Sequence, residues 1–192
     1  MTSKKYQTAM IDPPWDLRMA GKKAKADAKQ ELAYETMSFE DILTFQREVV
    51  IPQMAPDHNM FLWTVDQYLD LTLANLKWIG YRRHAIFIWD KINGLAPAFS
   101  VRYTHEYMIW YYMGKFQPVD TAARGVCPTV FTEKSREHSR KPDKAYEVIN
   151  RMYPEHDKID IFSREKRNGW DQLGNQTDYL DWRDAVFDLG RK

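Results

Sequence analysis

The sequence predicts an α/β protein, a mostly parallel, doubly wound sheet with helices on both faces. Three observations predict it. Short apolar runs of strand length alternate with amphipathic stretches of helical length along most of the 192 residues, the pattern of strands joined by crossover helices. The runs at Ala9-Met10-Ile11, Met60-Phe61-Leu62 and Ala85-Ile86-Phe87-Ile88 are unbroken by polar residues, as in strands buried on both faces. Finally, Asp12 and Ser163 fall where two of these runs stop, at the carboxyl ends where such sheets bind ligands.

The elements follow in order. Tyr6 to Asp12 is the first strand, stopped by Pro13-Pro14, which supply no backbone N–H. Residues 16–33 are polar and lysine-rich and are expected to form a mobile loop over whatever the preceding corner binds. Ser38 caps a helix whose first turn carries Glu40 and Asp41, with Ile42, Phe45 and Val49 on one face. Asn59 to Trp63 is a second strand. Asp66 opens a helix running to Lys77 or Trp78 and closed by Gly80. Tyr81 to Trp89 is a third strand, Lys91 to Tyr103 a loop, and His105 to Tyr112 an aromatic strand. Gln117 to Pro128 is irregular, and Val130-Phe131 is a short strand. Pro142 begins a helix through Met152, Lys158 to Phe162 is a strand, Ser163 to Asn175 a loop, and Asp178 to Leu189 a final amphipathic helix. There is no internal repeat or domain boundary, so residues 1–192 are expected to form one domain.

Bulk properties narrow the function. The 28 basic and 27 acidic residues nearly cancel, so affinity for nucleic acid must come from local patches rather than a global field. Cys127 is the only cysteine, which excludes an intrachain disulfide and a cysteine-rich zinc site. His58, His84, His105, His138 and His156 lack metal-ligand spacing, and no metal is expected. No apolar run reaches membrane-spanning length, and a reduced, cytoplasmic setting in a prokaryotic or phage-host cell is expected, without a membrane partner. There is no glycine-rich dinucleotide or triphosphate loop and no nucleophile elbow.

Asp12-Pro13-Pro14-Trp15 carries the chemistry that remains. A carboxylate beside carbonyls with no local donor accepts hydrogen bonds from an amino group, and an indole face offers a stacking wall. That inventory suits a flat aromatic amine such as adenine, although Asp-Pro and Pro-Pro are also ordinary turn punctuation. Basic residues gather at Lys22-Lys23-Ala24-Lys25, at Arg82-Arg83, along Lys134, Arg136, Arg140 and Lys141, and at Arg164, Lys166 and Arg167. Each is an ordinary solvated face on its own; together, at one sheet edge, several of them make a phosphate-binding rim.

An ordered set of short motifs resembles the MT-A70-type methyltransferases, which transfer methyl from S-adenosylmethionine to the 6-amino group of adenine. It runs from roughly Ala9 to Gln176: Asp12-Pro13-Pro14-Trp15, Tyr34-Glu35-Thr36-Met37-Ser38, Met60-Phe61-Leu62-Trp63, Gly80-Tyr81, Ile88-Trp89-Asp90-Lys91, His105-Glu106, Ser139-Arg140-Lys141-Pro142-Asp143, Asp160-Ile161-Phe162-Ser163-Arg164, Gly169-Trp170 and Gly174-Asn175-Gln176. The resemblance implies a methyltransferase-type Rossmann fold in permuted order, catalytic motif first and cofactor strand last. It implies catalytic roles for Asp12, Pro13, Pro14 and Trp15: Asp12 and a proline carbonyl hold the two amine protons, and Trp15 stacks on the base. It implies that Tyr34 gates the substrate, with Lys22, Lys23, Lys91 and Arg102 on the substrate side. Lys141 is implied to meet the methionine carboxylate of S-adenosylmethionine, and Asp160, Phe162, Arg164, Asn175 and Gln176 to line its adenosine end. The chain departs from the pattern at Glu165-Lys166-Arg167, where the family often offers His or Asn to the ribose.

The expected activity is direct, in-line N6-methylation of an adenine flipped out of nucleic acid, DNA ahead of RNA. Methylation of RNA adenosine or of another planar amine is the alternative, and a catalytically silent nucleic-acid-binding scaffold is the reading from another class. Homodimerisation is an open expectation.

Overall fold

The computed structural model describes residues 4–16, 36–92, 101, 103–136 and 140–173. Seven strands form one sheet in the order β5-β3-β4-β2-β1-β6-β7. They are β1 (Tyr6–Ile11), β2 (Met54–Thr64), β3 (Arg82–Asp90), β4 (His105–Met113), β5 (Val130–Thr132), β6 (Lys158–Ile161) and β7 (Asp171–Leu173). β1 pairs in parallel with both β2 and β6, and the β3–β5 and β6–β7 pairs are also parallel. Only β4 runs against its neighbours, antiparallel to β2 and β3. The chain is thus a mostly parallel α/β sheet, and the first strand lies inside it, between β2 and β6.

Strand alternation sorts the side chains into two cores. Ala9 and Ile11, Met60 and Leu62, and Ile109 and Tyr111 face α1 (Phe39–Phe45) and α3 (Asp66–Asn75), whose Ile42, Phe45 and Tyr68 join that core. Met10, Phe61, Trp63, Phe87, Met108 and Trp110 face α4 (Asp143–Met152), whose Ala145, Tyr146 and Ile149 complete the other. Burial on both sides explains the unbroken apolar runs.

Local signals land where the sequence puts them. Ser38 Oγ accepts the Asp41 N–H at 3.1 Å and caps α1. Gly80, at φ 99°, closes the 3₁₀ turn Leu76–Ile79 that ends α3, a left-handed geometry that suits glycine. Three details differ. α1 passes through a π-helical turn, Gln46–Val50, into the short α2 (Ile51–Gln53). β2 begins at Met54, earlier than Asn59, because its first residues still find a partner in Tyr6. The expected loop after Ser163 contains β7, so β6, the strand expected to serve the cofactor, is not the last: Asp171–Leu173 extends the sheet by pairing with β6. The expected final helix and nearly all of loop 16–33 lie outside the described residues. Among the described residues no helix is long and apolar enough to cross a membrane.

Candidate active site

The carboxyl ends of β1 and β6 meet because the strands pair in register, Met10 with Asp160 and Ile11 with Ile161. Asp12 continues the ladder, donating its N–H to the Ile161 carbonyl at 3.2 Å. β4 is antiparallel, so its amino end reaches the same edge and brings Glu106 there. α4 follows Lys141-Pro142 and starts at that edge too. These connections assemble a buried charged cluster from three distant parts of the chain.

Lys141 Nζ lies 3.0 Å from Asp12 Oδ1 and 2.7 Å from Glu106 Oε2, with the Trp63 ring centroid 5.2 Å away. Lys91 closes the cluster by binding the other oxygen of Glu106. All three members of the central triad are close to fully buried. Burial opposes ionisation of Glu106, but Lys141 and Lys91 overcome it and hold its carboxyl at about 2. Burial also disfavours charge on Lys141, yet Asp12 and Glu106 raise it above the ordinary lysine value, so it stays protonated. Burial pushes the Asp12 carboxyl up, only partly countered by Lys141, while the Glu106 charge pushes it further. The two acids therefore divide: Glu106, with two lysines, is the fixed anion, and Asp12, sharing one, is the more basic carboxylate.

The corner after Asp12 is rigid. The Trp15 N–H donates to the Pro13 carbonyl at 2.9 Å across Pro14, a three-residue turn, and the Met37 N–H donates to the Pro14 carbonyl at 2.9 Å. Both proline carbonyls thus have a donor, contrary to the sequence expectation, and each keeps one lone pair. Trp15 is corrected as well. It is only 8% exposed, its indole N–H donates to the Trp63 carbonyl at 3.1 Å, and its ring stacks on Tyr68 at 4.8 Å. An indole so enclosed braces the corner and is not an open wall for a base.

Beside the cluster lies a narrow cleft lined by Asp12, Arg140, Lys141, Tyr146, Asp160, Phe162, Ser163, Arg164 and Glu165. Asp160, fully buried at the end of β6, accepts the Tyr146 hydroxyl at 2.8 Å. Burial pushes its carboxyl up to about 7, against the pull of the Tyr146 hydrogen bond. Arg167 lies over the Tyr146 ring, 3.6 Å from its centroid, and binds Asp143 at 2.6 Å and also Glu165. Arg136 joins Asp143 and Glu165 at 2.9 and 3.3 Å. The departure noted at 165–167 thus ties the turn after β6 to the start of α4.

The structure gathers Asp12, Pro13, Pro14, Lys91, Lys141, Asp160, Phe162 and Arg164 at one sheet edge, with Trp15 behind it. Lys91 is bound to Glu106 rather than presented to a substrate. Lys22, Lys23, Tyr34, Arg102, Asn175 and Gln176 lie outside the described residues. Arg82 is at the other end of β3, on the Gly114 carbonyl, away from any rim at this edge. Glu106 and Tyr146 are parts of the site to which the sequence reading gave no role, and Ser163, expected only at a ligand-binding strand end, joins them. For Glu106 the His105-Glu106 motif was the one available signal. No group of His, Cys, Asp and Glu suited to a metal occurs among the described residues.

The cleft fits S-adenosylmethionine chemically. It offers cations for a carboxylate, an aromatic ring, and one buried hydroxyl, Ser163 Oγ, with no partner. Comparison with known proteins gives the family. Residues 6–176 match the MT-A70 family. An N(6)-adenosine-methyltransferase MT-A70-like protein of Drosophila melanogaster is 31% identical over 183 residues, 91% of this chain and 27% of the relative. The catalytic subunit METTL3 of the Homo sapiens N(6)-adenosine-methyltransferase is 30% identical over 91% of this chain and 28% of the relative. The type II methyltransferase M.MunI of Mycoplasma sp is 27% identical over 89% of this chain and 77% of the relative. The chain thus spans about a quarter of the length of the adenosine methyltransferases and most of the length of the type II enzyme.

Proposed function

The chain belongs to the MT-A70 family, and from that premise we propose that it transfers methyl from S-adenosylmethionine to the 6-amino group of adenine in nucleic acid, with DNA as the substrate. The observation that carries the reading is the position of Asp12: a buried, relatively basic carboxylate at the carboxyl end of β1, wired through Lys141 to the cleft beside β6. The names of the adenosine methyltransferases among the relatives support the target atom. The match along 77% of the type II methyltransferase supports a substrate like that enzyme's.

When bound, S-adenosylmethionine supplies an electrophilic methyl on a sulfonium. The chain's own part is to make the amine a nucleophile. The nitrogen lone pair is delocalised into the adenine ring. Accepting one N–H on Asp12 and the other on the free lone pair of a proline carbonyl favours the pyramidal form and aligns it for in-line attack. As the N–C bond forms and the S–C bond breaks, the nitrogen becomes cationic and sheds a proton, and Asp12 is the basic group placed to take it. Asp12 and Glu106 keep Lys141 charged, and Lys91 anchors Glu106, so the cluster holds Asp12 in place. Lys141 and Arg140 are the cations available to the methionine carboxylate. In duplex DNA the base must be flipped out, a step of a few kcal/mol.

Incubation of the protein with methyl-labelled S-adenosylmethionine and matched DNA and RNA oligonucleotides tests the proposal. Label in N6-methyladenine of the DNA is the expected result. Label in RNA alone overturns the DNA assignment, and cofactor binding without transfer to either favours the silent scaffold.

A further inference from the structure

Among the described residues other than glycine, only Ile92 and Phe162 have positive φ, 61° and 63°. Ile92 is exposed. Phe162 is buried, where a left-handed backbone is a strain that the surrounding structure must hold. Its N–H donates to the Leu173 carbonyl at 2.6 Å, and its ring meets Phe45 at 5.0 Å. The product of this enforced turn is the placement of the next residue. Ser163 is 4% exposed, lines the cleft with Asp12, Lys141 and Asp160, and its hydroxyl has no hydrogen-bond partner. A fold that strains one residue to bury the next one's hydroxyl unsatisfied is unstable twice over, unless a ligand completes the bond.

The neighbouring acids on this turn are already engaged. Asp160 holds the Tyr146 hydroxyl, and Glu165 is bound by Arg136, Arg140 and Arg167. Ser163 retains both donor and acceptor capacity, which matches a sugar hydroxyl able to give and receive. We propose that Ser163 is a recognition residue for the nucleoside end of S-adenosylmethionine, its buried hydroxyl hydrogen-bonding the ribose. Ser163 thereby supplies a sugar contact in a chain whose 165–167 segment is committed to ion pairs with Asp143. The inference rests on the methyltransferase reading.

The test is calorimetric titration of the full chain with S-adenosylhomocysteine and with 5′-methylthioadenosine, which lacks the amino-acid end, beside thermal melts without ligand. Ser163→Ala and Ser163→Gly are each expected to weaken both ligands about tenfold, the loss of one hydrogen bond to a buried partner. Ser163→Ala is expected to raise the melting temperature of the unliganded protein, because it removes an unsatisfied polar group. Affinity unchanged in both variants overturns the inference, as does a melting temperature that falls along with affinity, which marks a structural serine. A loss for S-adenosylhomocysteine but none for 5′-methylthioadenosine overturns the nucleoside assignment. If the unmodified protein binds neither ligand, the methyltransferase reading itself fails; if it binds and the variants match it, only the role of Ser163 does.

Discussion

Lys141 Nζ sits 3.0 Å from Asp12 Oδ1, so the acid proposed to orient the substrate amine is itself oriented by a buried cation. The resemblance assigns this lysine to the cofactor and the aspartate to the base. The contact between them makes one unit of the two half-sites. Removing the lysine leaves Asp12 and Glu106 as buried carboxylates facing each other. Lys141→Met is therefore expected to destabilise the protein by about 3–5 kcal/mol and to weaken cofactor binding. Urea denaturation with calorimetry checks both, and wild-type stability in the variant contradicts the ion cluster.

Asp12→Asn keeps the shape of the side chain and removes its basicity. Turnover is expected to fall by at least about 10²-fold, the usual scale for a lost proton acceptor, while affinity for S-adenosylhomocysteine changes little. Retained single-turnover methyl transfer in this variant rules out Asp12 as the base.

Asp160 and Glu106 give opposite pH signatures. The Glu106 carboxyl is held at about 2, below its ordinary 4.5, so its stabilisation is full above 4.5 and lost as pH falls towards 2. The Asp160 carboxyl is raised from 3.8 to about 7, so the folded state favours its protonated form. Stability from this group is full below 3.8 and drains as pH rises to 7. Asp160→Asn is expected to stabilise the unliganded protein at pH 8 relative to the parent, and to lose that advantage by pH 4. Equal stability differences at the two pH values contradict a raised Asp160.

Trp15 separates bracing from base stacking. Trp15→Phe keeps a ring against Tyr68 and loses the bond to the Trp63 carbonyl, for about 1 kcal/mol. Trp15→Ala empties a packed site, for about 3–5 kcal/mol. Thermal denaturation of both variants, with turnover measured alongside, reads the difference. If Trp15→Ala melts like the parent but loses substrate affinity, the ring is a stacking platform after all.

How much of this was legible in the sequence depends on the range of the interaction. Ser38, Gly80 and the apolar runs act locally, and their positions could be read directly. The place of Asp12 at a strand end was equally plain. Glu106 was not, because it reaches its distant partner Lys141 on an antiparallel strand that no local pattern marks as reversed. Trp15 was misread for a related reason: a tryptophan beside a turn looks available until Tyr68, on α3, closes over it. The proline carbonyls were read as donor-free because local sequence offers them none; the N–H that reaches Pro14 comes from Met37, far along the chain. β7 is three residues long, too short to have a periodicity.

The position of β1 between β2 and β6 also constrains how the protein is made. A ribosome delivers β1 before β2, which gives it one neighbour, but the opposite edge stays open until β6 emerges, after β2, β3, β4 and β5. The nascent chain must carry that unpaired strand edge, the one bearing Asp12, while those four strands are made. Completion of the sheet and creation of the cleft then coincide in time. No truncated product that lacks β6 holds a half-competent site.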